Sequence, residues 1–176
     1  MTEDQRVSRN SGEPPKSGVA GAQRWADYLD WLREDIIRGT LALSVAERRS
    51  TQLPSGWSPI ELLNHVVHME QRWFIWGFLG ESVDAPWGDW DGDPTTDESA
   101  RWVVASDTTA ETIAARLREL GRRTGDIVRT HDLADLARVG GRFDSEPPTL
   151  EWICFHVLAE YARHAGQFDV VLELRS

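Results

Sequence analysis

His156, Glu160 and His164 follow one another at intervals of four residues in "EWICFHVLAEYARHAGQFDVV", close to the end of the chain. On an α-helix, residues four apart are stacked neighbours about 6 Å from each other, and residues eight apart are separated by about 12 Å. Zinc bonds to nitrogen and oxygen are only about 2 Å long. One ion can therefore take His156 with Glu160, or Glu160 with His164, but not both imidazoles. Glu160 is common to the two options, which the spacing leaves open. Two donors from one helix do not make a tight site, so a third must come from elsewhere. The segment "LLNHVVHMEQRWF" carries His65 and His68, and His65 falls between Leu62 and Met69 on an apolar face. A histidine aimed into a helical bundle, opposite a His/Glu pair, is what a metal site in such a bundle needs. Against this stand two plainer readings: a core histidine satisfied by a hydrogen bond, and a Glu/His pair that is only a surface ion pair.

Four long amphipathic segments are expected to position these residues. The first spans about Ala22 to Gly39, with Trp25, Tyr28, Leu29, Leu32 and Ile36 at helical spacing. A short helix follows near Ser44 to Arg49. The next opens at "SPIE", where Ser58 caps, Pro59 takes the first position and Glu61 completes a capping box. It runs to about Leu79 and stops at Gly80, with Leu62, Val66, Met69, Trp73 and Trp76 on its apolar face. The third starts near Thr108, capped as Thr-x-x-Glu through Glu111, and reaches about Thr130. Its inward residues are Ile113, Leu117, Leu120, Ile127 and Val128. The fourth runs from about Thr149 to Leu174. Nothing reads as a sheet, so the fold class is all-α, a four-helix bundle. The irregular stretch 81–107 is long enough for a crossover connection, and a second irregular stretch covers 131–147. Residues 1–20 are polar and rich in Ser, Gly and Pro, and read as a disordered tail. Residues 21–176 form one domain.

The composition excludes several function classes. A net charge of −10 is unsuited to a nucleic-acid groove or to anionic lipid. No apolar run is long enough to span a membrane, and the N-terminal residues lack the apolar segment of a secretory signal. A lone cysteine, Cys154, allows no internal disulfide and is expected as a small buried apolar residue. The expected location is cytoplasmic. The acidic loop places Asp89, Asp91 and Asp93 at alternate positions, but a calcium loop wants Gly sixth and Glu twelfth, where Pro94 and Ala100 stand. Trp87 and Trp90 in that loop either cover one end of the bundle or complete the core. His131 falls in a loop and is given no role. No nucleophilic triad, P-loop or dinucleotide fingerprint is present.

"SPIELLNHVVHMEQRWFIWGFLGE" and "PTLEWICFHVLAEYARHAGQFDVVLEL" resemble the second and fourth helices of the DinB-like superfamily. The nearest branch is the one related to mycothiol-dependent transferases and maleylpyruvate isomerase. The resemblance covers about residues 22 to 174 and joins a helix-two His, a Glu-x-x-x-His on the last helix and a following "AGQ". It implies an up-down-down-up bundle and a divalent metal, zinc or nickel, held by His65, Glu160 and His164. His156, the catalytic candidate, then lies one turn away, either behind the ligands or facing the substrate, and His68 lies outside the ligand pattern. Related sequences often carry His where this one has Gln167, a position that is not a ligand. The implied activity is metal-dependent activation of a low-molecular-weight thiol for S-transfer or isomerisation of a small-molecule substrate. His156 or His68 would orient the thiol or carry a proton. The other reading is a non-catalytic metal-binding or stress-response protein. A homodimer is also implied, and the nine tryptophans suit either an apolar interface or a core.

Overall fold

A computed structural model describes residues 12–84 and 104–175. Among these residues the elements are helical, with two isolated bridges, Leu136 with Thr149 and Val139 with Phe143. The helices are α1 (Ala22–Ala42), α2 (Val45–Arg48), α3 (Pro59–Glu70), a π-helical continuation (Gln71–Phe78), α4 (Ala110–Thr130) and α5 (Leu150–Glu173). α1 packs mainly on α4 and α5, and α3 packs on the same two helices. Of the tail expected at residues 1–20, the described part reaches α1: Tyr28 donates to Glu13 at 2.9 Å and Arg24 to the Pro15 carbonyl at 3.3 Å. The acidic loop's Asp89, Asp91, Asp93, Trp87 and Trp90 lie outside the described residues.

Local chemistry explains most of the boundaries. Ser58 and Glu61 form the expected capping box, with Pro59 at the first position. The hydroxyl of Thr149 accepts from the Trp152 amide and opens α5. α4 begins one residue later than expected. Thr109 is the cap, accepting from the Thr112 amide, and Glu111 is turned instead to an ion pair with Arg48 at 2.5 Å. The second long helix also departs from expectation. It stays helical to Phe78, but from Gln71 onward it is π rather than α. Leu79 accordingly donates five residues back, to the Phe74 carbonyl at 3.1 Å. Such segments are rare and cost regular hydrogen-bond geometry, so something outside the helix must hold them.

The holding group is a buried polar network at the junction of the α and π segments. Arg33 of α1 donates through Nε and Nη2 to both oxygens of Glu70, at 3.0 and 2.9 Å. Tyr161 of α5 donates to the same carboxylate at 2.5 Å. All three side chains are buried, and Arg33 also reaches Asp30 at the surface at 2.8 Å. Burial alone would lower the Arg33 pKa, but the Glu70 carboxylate outweighs it and the pKa is raised. α4 contributes by what it lacks: a Cβ on Gly121 would stand 2.5 Å from the guanidinium carbon of Arg33. All four long helices therefore converge on this one ion pair.

The segment after α4 folds back onto the π helix. Arg138 and Arg142 donate their amides to the carbonyls of Phe78 and Trp76, at 3.0 and 3.3 Å. Gly141 makes that approach possible, since a Cβ there would lie 2.4 Å from the Trp76 oxygen. Removing one member of a buried ion pair leaves the other charge uncompensated, a loss of about 3–5 kcal/mol. Glu70→Ala should therefore lower unfolding stability in urea by that order, whereas Asp30→Ala should leave the midpoint near that of the unchanged protein.

Candidate functional site

α3 and α5 bring two of the singled-out histidines face to face. The Nε2 atoms of His65 and His164 are 3.1 Å apart, with ring centroids at 4.7 Å. Glu160, one turn before His164 on α5, places Oε2 3.6 Å from the His164 Nε2. Its other oxygen receives Arg163 at 3.2 Å. The α5 histidine that meets α3 is thus His164, with Glu160 beside it.

Gln167, which the sequence offered only as a departure from related chains, has a definite partner. Its Oε1 is 2.9 Å from the His164 Nδ1. A carboxamide oxygen only accepts, so Nδ1 carries the proton and the Nε2 lone pair faces His65. An outer partner of this kind fixes the tautomer and ring orientation of metal-binding histidines. The spacing fits an ion as well. Two donors bound tetrahedrally at about 2 Å each stand about 3.3 Å apart, and the observed edges are 3.1 and 3.6 Å. Among the described residues, no three His, Cys, Asp or Glu side chains already enclose one point. Glu160 divides its two oxygens between Arg163 and His164.

The electrostatics keep the imidazoles neutral. Burial holds the His65 pKa far below its ordinary 6.5, aided by His164, Arg72 and His68. Burial also lowers that of His164, against the opposing pull of Gln167 and Glu160. His68 is pushed down to about 4 by burial and by Arg116 and Arg72. Neutral imidazole is the form that binds a metal.

His156 belongs to a different group. It stacks on Trp152, with centroids 5.2 Å apart and planes 12° apart, and it meets Trp73 at 4.2 Å. Arg142 places its guanidinium carbon 4.2 Å over the Trp73 ring. Sequence reading missed Arg142 altogether. Its only signal was a cation in a Gly-rich stretch, "VGGRF". Cys154 is buried, and burial pushes its thiol up to about 12, leaving no thiolate for chemistry. His131 ends α4, with Nδ1 3.0 Å from the Ile127 carbonyl.

Acid should expose this arrangement in chelator-treated protein. An unfolded chain takes a proton on each histidine below about 6.5, while folded His65 stays neutral. Its contribution to stability is therefore complete above 6.5. It falls with decreasing pH by up to about 1.4 kcal/mol per pH unit for each such group. Urea midpoints measured from pH 7.5 to pH 5 should drop in the parent protein and drop less steeply in His65→Gln.

No curated protein and no solved structure matches the chain. A family model does, that of mycothiol-S-transferase, over residues 25–175. The match takes in most of α1 and all of the helices after it, the facing histidines, Glu160 and Gln167. With most of its length so matched, the chain belongs to the mycothiol-S-transferase family.

Proposed function

We propose that this protein is a divalent-metal-dependent S-transferase that uses a low-molecular-weight thiol of the mycothiol kind, with His65, Glu160 and His164 as metal ligands. The observation that carries the reading is the pair of facing Nε2 atoms, one of them oriented by Gln167, with a carboxylate within 3.6 Å. Two imidazoles and one carboxylate leave a coordination position open, the mark of a catalytic rather than a structural site. When bound, a zinc or nickel ion would favour the thiolate form of the thiol at neutral pH.

The chain's own residues supply the rest. Glu160 exchanges its contact with Arg163 for the site, and the move is short because Oε2 already faces His164. Gln167 keeps the His164 proton on Nδ1. His156, one turn along α5 from Glu160, faces the substrate and handles the proton that the thiol gives up. Transfer forms a carbon–sulfur bond at the electrophile as the bond to its leaving group breaks. An up-down-down-up course of the long helices, a cytoplasmic location and a homodimer covering exposed Phe155 and Val170 of α5 belong to the same proposal. No described helix is long and apolar enough to cross a membrane.

The test is metal content and turnover together. Protein purified without a histidine tag should carry about one equivalent of divalent metal and conjugate mycothiol with 1-chloro-2,4-dinitrobenzene. His164→Ala and Glu160→Ala should lose both metal and turnover. Gln167→Ala should keep its fold and weaken metal affinity about 10- to 100-fold. Metal-loaded, folded protein that is silent with every thiol would favour the non-catalytic metal-binding reading. Full metal retention in Glu160→Ala would overturn the ligand set.

A further inference from the structure

The buried network of Arg33, Glu70 and Tyr161 stands where apolar packing would serve stability as well. Replacing a buried ion pair by apolar groups of similar volume is often neutral or stabilising. What such a network adds is direction. Apolar side chains tolerate sliding and rotation of one helix against another, whereas a buried hydrogen bond fixes one register. The place of this network on its helices is specific. Tyr161 and Glu70 join α5 to α3 at 2.5 Å, and His164 and His65 join the same two helices at 3.1 Å. Glu70 lies five residues after His65, about 7.5 Å along α3, and Tyr161 lies three before His164, about 4.5 Å along α5. The two contacts are thus about one helical turn apart, and a shift of α5 that breaks the first also parts the second.

Of the two contacts, the one at Glu70 is the stronger. Arg33 donates to both carboxylate oxygens and ties Glu70 to α1 as well, so Glu70 is not free to follow α5. Burial and the Glu70 charge hold the Tyr161 pKa well above its ordinary value, so the hydroxyl keeps its proton and remains a donor. A hydrogen bond to an ionised acceptor is roughly twice as strong as one between neutral groups. The meeting of His65 and His164 is of the second, weaker kind, because burial favours the neutral form of both rings.

We propose that Arg33, Glu70 and Tyr161 are positioning residues for the histidine pair, holding His164 at hydrogen-bond distance from His65 and so setting the spacing at which the two Nε2 atoms receive a metal. Arg33, Glu70 and Tyr161 act only through the helices they join and are not themselves ligands. The metal consequence rests on His65, Glu160 and His164 being the ligands, but the meeting of the two rings is set without metal.

Two readouts test it, zinc affinity by competition with a chromophoric chelator and imidazole nitrogen NMR of the metal-free protein. The triple variant Arg33→Met, Glu70→Leu, Tyr161→Phe replaces the network by apolar groups and should melt no lower than the parent. Its zinc affinity should nevertheless fall about tenfold or more. The parent should show a coupling across the bond between the His65 and His164 Nε2 atoms, and the triple variant should not. Tyr161→Phe alone, which removes one hydroxyl, should keep its fold and lose part of the affinity. Ile127→Ala opens a cavity in α4, six residues beyond Gly121, and should melt lower while its zinc affinity stays within about twofold of the parent. A network that served stability alone would make affinity follow melting temperature across all of these variants, and that result would overturn the proposal. So would parent-like affinity and coupling in folded Tyr161→Phe, a variant that decides the matter even if the triple variant fails to fold. A parent that binds no zinc, with a coupling that the variants lose, would sink the metal site and leave the positioning role standing. Tight zinc binding equal in the parent and in every folded variant would do the reverse.

Discussion

The bidentate bond between Arg33 and Glu70 is the constraint from which the rest of the architecture can be argued. Two charges removed from water are costly unless geometry and further hydrogen bonds compensate. Here the carboxylate receives three donors, two from Arg33 and one from Tyr161. That demand fixes the separation of α1, α3 and α5 at one level and forces α4 to present a glycine. It also fixes the site indirectly. Tyr161 follows Glu160 in sequence and precedes His164 by three residues, while Glu70 follows His65 by five. With Tyr161 tied to Glu70, α5 cannot slide or rotate against α3 without breaking a buried bond. The 3.1 Å meeting of His65 and His164 inherits its precision from that tie.

Charge is arranged by depth rather than by total. The molecule is acidic overall, yet the histidines in its interior are neutral because water is withheld from them and cations lie nearby. A neutral imidazole pair costs little to bury, whereas a charged pair at this distance would repel strongly. Acid-labile packing and the neutral state of the buried imidazoles are thus one property. A second division separates a polar group, Glu160, His164 and Gln167, from an aromatic group, Trp73, Trp152 and His156. α5 carries both on a single stripe.

The parts of this plan that were legible in the sequence are those encoded within one helix. The Ser58–Glu61 box, Pro59, Thr149 and the apolar faces follow local rules, and their elements lie where those rules put them. The Glu160–His164 spacing was legible too, although choosing it over His156–Glu160 needed either a resemblance or the position of His65. What could not be read depends on distant partners. Glu111 leaves its expected role as a capping partner because Arg48, 63 residues away, offers a full charge. Nothing local marks Arg33 until Glu70, 37 residues along the chain, is brought to it, with Tyr161 coming in from 91 residues beyond Glu70. The π segment has the same composition as an α-helix, and only the fixed carboxylate at Glu70 and the fold-back at Gly141 distinguish it. Gln167 reads as a position that is not a ligand, and its contact with the His164 Nδ1 shows only once the helix is built.

The π segment also bears on how this chain can change over evolutionary time. In an α-helix, removing one residue rotates everything beyond it by about 100° and scrambles the faces presented to the core. A π segment already holds a residue in excess of α geometry. One residue can be removed between Gln71 and Phe78 by relaxing to α, with α3 before it and the turn at Gly80 after it kept in place. The cost falls on the aromatic residues inside the segment, since the deletion changes which of them lies beneath Arg142. Chain length and the packing around Arg142 are therefore coupled at one locus. Descendants that lengthen or shorten this helix by a single residue would diverge in what packs beneath Arg142 while retaining the histidine pair and the buried ion pair intact.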